Sequence, residues 1–298
     1  MKAYLWEPLE DNKVKCNLCS HRCVIKKGRR GICAVRENRA GVLETLVYGN
    51  LVARHIDPTD HQGTIMGSRS TPGEVVGAAE QGGCLSISYT YTEPTIFFEF
   101  AFETARLAHE SGLRNVFVTN GYMTAEALEM ISPYLDAANV DLKAFSDKYY
   151  KDLCSARLKH VQATLKRMKA LGIFVEVTTL IVPGLNDDPG ELKELARFIV
   201  DDLGRETPWH ISRFHPTYQL TDRPSTPVAT LTLAREIGLN AGLRYVYTGN
   251  VPGDTGENTF CHSCGEIVIE RRGFRVGRLG IENGQCVHCG VEIDGVWE

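Results

Sequence analysis

Eight of the ten cysteines of this 298-residue chain fall into two groups, one near each end. The C-terminal group consists of two C-x2-C pairs, Cys261 with Cys264 and Cys286 with Cys289. Each pair can turn both of its thiolates toward one ion, and two pairs complete a tetrahedron, which is the pattern of a structural zinc ribbon. We therefore predict zinc at these four cysteines.

The N-terminal group comprises Cys16, Cys19, Cys23 and Cys33. The N-terminus has no secretion signal, and cysteines in a reducing compartment favour metal binding or catalysis over disulfides. Four thiolates suit zinc and an iron–sulfur cluster equally well in principle, so the sequence predicts a metal and leaves its identity open, with zinc slightly favoured.

Polar side chains follow the apolar runs in the middle of the chain. These polar segments are TYTEPT at 90–95, TNGY at 119–122, VDLK at 140–143, VPGLND at 182–187, RFHP at 213–216 and TGN at 248–250. Taken singly, each could be a polar loop or a helix cap. Asp141 and Lys143 are harder to explain that way, because charges next to a strand buried on both faces must pair or contact a ligand.

The elements that must position these residues are alternating strands and helices. Strands are predicted at 84–90, 115–119, 138–142, 174–182, 210–214 and 243–248, and helices from Pro72 to Gly82-Gly83 and at about 95–111, 124–135, 158–171, 189–203 and 227–241. A loop is predicted around Cys154. This alternation indicates βαβ units, hence an α/β fold with parallel strands that close into a partial (β/α) barrel; a doubly wound open sheet is the alternative. In either case the ligand site belongs at the carboxyl ends of the strands.

Composition and the distribution of cysteines limit the domain organisation, the partners and the location of the protein. We predict an N-terminal cysteine-rich metal-binding region over 1–58, a partial βα barrel over 59–250 and a zinc-ribbon-like tail over 251–298. The net charge of −4 provides no basic field for nucleic acid. No apolar stretch is long enough to span a membrane, so we expect no membrane association and a cytoplasmic location.

Taken together, five of these segments are specific for one family. TYTEPT, VTNGY, VDLK, VPGLND and SRFHP resemble the ligand motifs of radical S-adenosylmethionine (SAM) proteins, closest to the pyruvate formate-lyase activating enzyme branch. With the opening CNLCSHRC…GICAVREN and the tail cysteines, the chain is similar to the radical SAM protein of the AmmeMemoRadiSam system. The resemblance implies a radical SAM-type barrel, with Thr92-Glu93-Pro94 and Thr95 around the methionine amino group, Asn120 near the ribose, Asp141 and Lys143 on polar groups of SAM, and His215 near the ribose or adenine.

The motif that should hold the catalytic [4Fe–4S] cluster, C-x3-C-x2-C, is absent from the chain. The resemblance holds through 53–58 and resumes at about 60–63. Between these two segments, relatives have a strand and the cysteine loop. Two explanations are open: the loop belongs to the natural protein but is not represented in these residues, which we favour, or it has been deleted. Cys16-x2-Cys19-x3-Cys23 has the two spacings in reversed order and precedes the barrel, so it is not assigned as the catalytic motif, and the catalytic residues stay unknown.

The resemblance implies an enzyme that cleaves SAM reductively to a 5′-deoxyadenosyl radical, which abstracts hydrogen from an unidentified substrate, possibly a protein, as glycyl-radical-enzyme activases do. The partners implied are an electron donor such as a flavodoxin or ferredoxin and a protein substrate from the AmmeMemoRadiSam set. The alternative is a non-catalytic SAM- and metal-binding protein that has lost the cluster loop.

Overall fold

The computed structural model describes residues 1–51, 68–217, 220–273 and 275–297. The chain divides into two compact units, Met1–Val140 with Lys159–Val175 and Asp141–Leu158 with Glu176–Glu298. The break in the family resemblance, between 58 and about 60, lies outside the described residues. The predicted three-part division of the chain stays a prediction.

Short antiparallel strands make up the regular structure described before residue 70. They are β1 (Trp6–Pro8), β2 (Val14–Cys16), β3 (Val24–Ile25), β4 (Arg36–Arg39), β5 (Val42–Thr45), β6 (Asn50–Leu51) and β7 (Ser68–Arg69). β1, β2 and β3 form one antiparallel sheet, and β4 pairs with β5. Because residues alternate across a strand, β4 turns Arg36 and Asn38 inward and leaves Arg39 exposed.

Helices and parallel strands alternate from Pro72 to Gly249. The elements are α1 (Pro72–Gln81), β8 (Ser86–Tyr89), α2 (Phe98–Glu110), β9 (Arg114–Thr119), α3 (Ala125–Ile131), β10 (Ala137–Asp141), α4 (Asp147–Cys154), α5 (Leu158–Ala170), β11 (Phe174–Ile181), α6 (Pro189–Phe198), β12 (Trp209–Arg213), α7 (Val228–Ala241) and β13 (Val246–Gly249). The six strands β8 to β13 form a parallel sheet, three in each unit. The predicted α/β fold class is therefore confirmed.

Local capping explains where α1 begins. Thr71 accepts a hydrogen bond from the backbone N–H of Glu74 at 3.3 Å, and the Glu74 carboxylate accepts one from the N–H of Thr71 at 2.8 Å. This reciprocal arrangement is a capping box, and Pro72 fits the first helical position because its missing N–H would have no partner there.

The first unit packs β8, β9 and β10 side by side, with Ser86 opposite Arg114 and Ala137 opposite Val116. Asn115, fully buried in β9, satisfies its side chain by donating to the carbonyls of Ala105 and Tyr134 and accepting from the hydroxyl of Tyr89. Burial raises the pKa of Tyr89, so this phenol keeps its proton and acts as a donor at neutral pH.

The second unit pairs β11 with β12 and β12 with β13, all parallel. Trp209 is fully buried and donates its indole N–H to Thr179 at 3.0 Å. α7 lies against this indole at Gly238, where an added Cβ would come within 2.9 Å of the ring. The tail continues as β14 (Thr259–Phe260), β15 (Ile267–Arg272), β16 (Arg275–Leu279), β17 (Ile281–Glu282) and β18 (Gln285–Cys286).

One sequence prediction is wrong in this region. A loop was predicted around Cys154, but Cys154 is the last residue of α4. The helix is capped by Ser146, and the i,i+4 ion pairs Lys148–Asp152 and Lys151–Asp147 support it. Among the residues that the structure describes, no helix combines the length and apolar character that crossing a membrane demands.

Candidate functional site

Glu93 joins the ends of two neighbouring strands of the first unit. Its Oε1 accepts hydrogen bonds from the N–H of Thr95 at 3.1 Å, the hydroxyl of Thr95 at 2.6 Å and the hydroxyl of Thr119 at 2.7 Å. Its Oε2 accepts from the backbone N–H of Asn120 at 2.7 Å. The TEPT and TNG motifs, predicted from sequence to lie together, therefore meet at one carboxylate.

The local backbone makes this meeting possible. Glu93 caps a 3₁₀ turn, Pro94–Phe97, that precedes α2. After β9 the chain turns through Gly121 at φ +69°, where an added Cβ would lie 2.8 Å from Val140. The side chain of Asn120 is used in the same turn, since its Oδ1 accepts from the N–H of Tyr122 at 2.9 Å. Thr92, in contrast, is exposed and lies beside Tyr91, which has φ +65°.

Asp141 and Lys143 lie at the end of β10, in the second unit. The ammonium of Lys143 is 2.8 Å from Oδ2 of Asp141, and both side chains are a little over one-third exposed. The two charges adjacent to the buried strand are thus paired with each other. The backbone here is held by the buried Asn186, whose side-chain amide donates to the carbonyls of Lys143 and Leu180.

His215 stands on the exposed segment that follows β12, also in the second unit. Its Nδ1 lies 3.2 Å from the hydroxyl of Ser225, so one ring nitrogen already has a partner on the same unit. Of the seven predicted SAM contacts, Thr92, Glu93, Thr95 and Asn120 belong to the first unit, whereas Asp141, Lys143 and His215 belong to the second.

The N-terminal cysteines line one cavity of about 30 Å³ in the first unit. Cys16 is buried, Cys19 and Cys23 are half-buried, and Cys33 is exposed. Burial raises the pKa of the Cys19 thiol to about 11, with the neighbouring thiols adding to the effect. A metal that binds here must therefore displace protons.

A buried ion pair beside this cavity has no counterpart in the sequence predictions. Arg36 and Glu99, each only 1% exposed, form a salt bridge, and Arg36 also donates to the carbonyl of Tyr4 at 2.9 Å. The Nη1 of Arg36 lies 3.5 Å from Sγ of Cys16. The signal in the sequence is the charged segment 35–38 shortly after Cys33, which does not by itself identify the distant partner Glu99.

The C-terminal cysteines converge much more tightly. The sulfurs of Cys261, Cys264, Cys286 and Cys289 all lie within 4.8 Å of one another, with 3.6 Å between Cys261 and Cys289 and 3.8 Å between Cys264 and Cys286. A tetrahedron with metal–sulfur bonds of about 2.3 Å has an edge of about 3.8 Å, so this donor set fits one zinc-sized ion.

The two knuckles of this site are built alike. Each is closed by a glycine in the left-handed region, Gly265 at φ +77° and Gly290 at φ +73°, whose N–H donates to the carbonyl of the first cysteine of its pair. Cys261 and Cys286 face a small core of Tyr245, Val268, Ile281 and Ile293. A metal at this site would hold the hairpin of β15 and β16 to that core.

The catalytic cluster of radical SAM proteins does not fit the residues of this chain. No C-x3-C-x2-C motif occurs in its 298 residues. The SAM ligand itself fits better, because among the described residues the half-buried carboxylate of Glu93 has one donor on Oε2 and can accept another.

Residues 61–199 match the model of the radical SAM superfamily. The chain is 42% identical over 331 residues to the uncharacterized protein MJ0808 of Methanocaldococcus jannaschii, with 98% of each chain covered. It is 26% identical over 184 residues to the isethionate sulfite-lyase activating enzyme of Nitratidesulfovibrio vulgaris, covering 57% of this chain and 58% of that protein.

A solved structure shows the same fold. SuiB of Streptococcus suis, in a crystal structure bound to the precursor peptide SuiA, matches with a TM-score of 0.51 at 14% identity, covering 62% of this chain and 43% of that one. The chain therefore belongs to the same family as MJ0808 and contains a domain of the radical SAM superfamily.

Proposed function

We propose that this protein binds SAM and is a radical SAM enzyme of the activating-enzyme type. The proposed contacts are Thr92, Glu93, Thr95, Asn120, Asp141, Lys143 and His215. The observation that carries the proposal is the meeting of TEPT and TNG on the Glu93 carboxylate. Two sequence-distant motifs of one superfamily share a single acid in the structure, as a common ligand site requires.

The chemistry of these groups matches that of SAM. The methionine part of SAM presents an ammonium and a carboxylate next to a sulfonium. The Glu93 carboxylate can attract the ammonium, and charge-assisted hydrogen bonds of this type are roughly twice as strong as neutral ones. Lys143 provides the opposite charge for a carboxylate, provided that it exchanges its contact with Asp141.

A catalytic [4Fe–4S] cluster would supply the electron for reductive cleavage of SAM. These 298 residues lack the cysteines for it, so no step through that cluster is assigned to them. The alignment with MJ0808 extends over 331 residues, at least 33 more than this chain contains. This difference supports the idea that relatives carry a segment that is missing here.

The proposed substrate is a protein or peptide. The isethionate sulfite-lyase activating enzyme is named for a protein that it activates, and SuiB binds the precursor peptide SuiA. The proposed partners are an electron donor such as a flavodoxin or ferredoxin and the companion proteins of the AmmeMemoRadiSam system. Zinc is proposed at the four C-terminal cysteines, whose sulfur spacing it matches.

A second candidate is a SAM- and metal-binding protein without catalysis. The missing C-x3-C-x2-C motif favours it, because without that motif a chain can bind SAM but cannot hold the cluster that reduces it.

Two measurements separate these functions. The first is the intact mass of the protein purified from its natural source, where a value well above 33.1 kDa is expected if the cluster segment exists. The second is formation of 5′-deoxyadenosine by that protein after anaerobic reconstitution and reduction with dithionite. Product is expected for the enzyme, whereas its absence from a sample with a verified cluster would leave only the non-catalytic function.

A further inference from the structure

The N-terminal cysteines differ from the C-terminal ones in how their sulfurs are arranged. All four C-terminal sulfurs lie within 4.8 Å of one another, whereas no three of the sulfurs of Cys16, Cys19, Cys23 and Cys33, all described in the structure, meet that condition. The N-terminal thiols instead line a shared cavity of about 30 Å³. Their sulfurs are therefore spread more widely than the four sulfurs of the C-terminal site.

From this contrast we propose that Cys16, Cys19, Cys23 and Cys33 bind a [4Fe–4S] cluster, separate from the catalytic cluster of the superfamily. In such a cluster each thiolate binds a different iron, and the four irons and four sulfides lie between the thiolates. The sulfurs are consequently held farther apart than the edge of about 3.8 Å that one zinc ion imposes. The proposal does not depend on SAM binding.

The lining of the cavity suits a cluster. Apolar side chains supply much of the wall, namely Leu18, Ile25, Ile32 and Ile96. Gly31 also faces it, and a Cβ there would lie 3.3 Å from Ile25 and 3.7 Å from the sulfur of Cys23, so a larger residue would press on a ligand. An apolar shell limits access of water and sets the reduction potential of the cluster inside it.

Arg36 gives a second and independent indication of a missing ligand. It lines the cavity, is 1% exposed, and its Nε has no hydrogen-bond partner. Buried donors are nearly always paired, so this N–H is expected to find an acceptor when the site is filled. Cluster sulfides accept such bonds, and the contact of Nη1 with the sulfur of Cys16 at 3.5 Å already points the guanidinium toward the thiols.

The position of the cavity gives the cluster a place relative to the motifs of the first unit. Thr95 and Ile96 belong to its lining, and Thr95 donates to Glu93 at 2.6 Å. The cluster would therefore sit against the segment that carries the proposed SAM carboxylate, in the same compact unit.

Because the chain lacks C-x3-C-x2-C, iron and sulfide that it binds cannot be held by the catalytic motif. The 298-residue protein is purified anaerobically and reconstituted with ferrous iron and sulfide. We expect about four irons and four sulfides per chain, together with an EPR signal of a reduced [4Fe–4S] cluster after dithionite. One zinc and no iron at the N-terminal cysteines would overturn the proposal.

Matched cysteine variants assign the signal to a site. Cys19→Ser and Cys23→Ser should each lower cluster iron at least fivefold, whereas Cys264→Ser and Cys289→Ser should leave it unchanged. Far-ultraviolet circular dichroism shows whether each variant is folded, and a folded Cys33→Ser, at the exposed ligand, provides an independent loss of signal. Iron that survives in the N-terminal variants and disappears in the C-terminal ones would refute the assignment.

Discussion

At the scale of single residues, buried charges carry the most information about this protein. Arg36 and Glu99 are each 1% exposed and neutralise each other, while Nε of Arg36 and Oε2 of Glu99 remain without partners. A buried ion pair adds little net stability, but removing one member leaves the other charge buried and unpaired. The pair therefore ties the β4 strand to α2 and constrains the geometry of the neighbouring cysteines.

This argument predicts the effect of removing one charge. Arg36→Met should lower the free energy of unfolding by about 3–5 kcal/mol, because it leaves the Glu99 carboxylate buried without its partner. The double variant with Glu99→Leu should be clearly more stable than the single variant. Guanidinium unfolding in the presence of a chelator measures both without a contribution from metal. Equal losses in the single and double variants would show that packing, and not charge, is responsible.

At the scale of elements, the sequence predicted most of the alternating region correctly. The pattern of apolar runs located all six parallel strands within a few residues, because strands buried in a parallel sheet are short, continuous and apolar. It missed α4, whose eight residues are too few and too polar for a periodic signal. The Arg36–Glu99 pair was equally out of reach, since its partners are 63 residues apart and only tertiary packing brings them together.

The first turn of α6 gives a pH-dependent prediction. Burial raises the pKa of Glu191 above its ordinary value, although its carboxylate accepts from the N–H of Phe145 at 2.7 Å. A carboxyl whose pKa is higher in the folded state contributes stability at low pH and loses it as pH rises through that pKa.

Glu191→Gln keeps an acceptor for Phe145 and removes the charge. The melting temperature of this variant, relative to that of the wild type, should increase as pH rises from about 4 to 7. A constant difference across this range would mean that Glu191 does not titrate as argued.

At the scale of the whole molecule, the chain combines a radical SAM domain with a cysteine site toward each end. The candidate residues were found from sequence because motifs carry both residue type and spacing. The sequence predicted zinc at the C-terminal site but left the metal of the N-terminal site open, since that choice depends on sulfur–sulfur distances that only the fold sets.

Metal removal should affect the tail strongly. The tail core is small, so the four-thiolate site is expected to supply much of its folding free energy. Chelation of zinc, or Cys261→Ser, should abolish protection of the β15 and β16 amides from hydrogen exchange while sparing those of β8 and β9. Cys84→Ser, outside both cysteine groups, is the matched control. Unchanged exchange in the metal-free tail would contradict a structural metal.

The central claim, that SAM binds at Glu93, is tested most directly by calorimetric titration of the 298-residue chain with SAM. We predict one SAM per chain and a dissociation constant at least tenfold weaker for Glu93→Ala, since a charge-assisted hydrogen bond contributes about 1.5–3 kcal/mol. Glu110→Ala, an exposed acid at the end of α2, should bind as the wild type does. No saturable binding to the folded chain, or equal affinity in the Glu93 variant, would contradict the account.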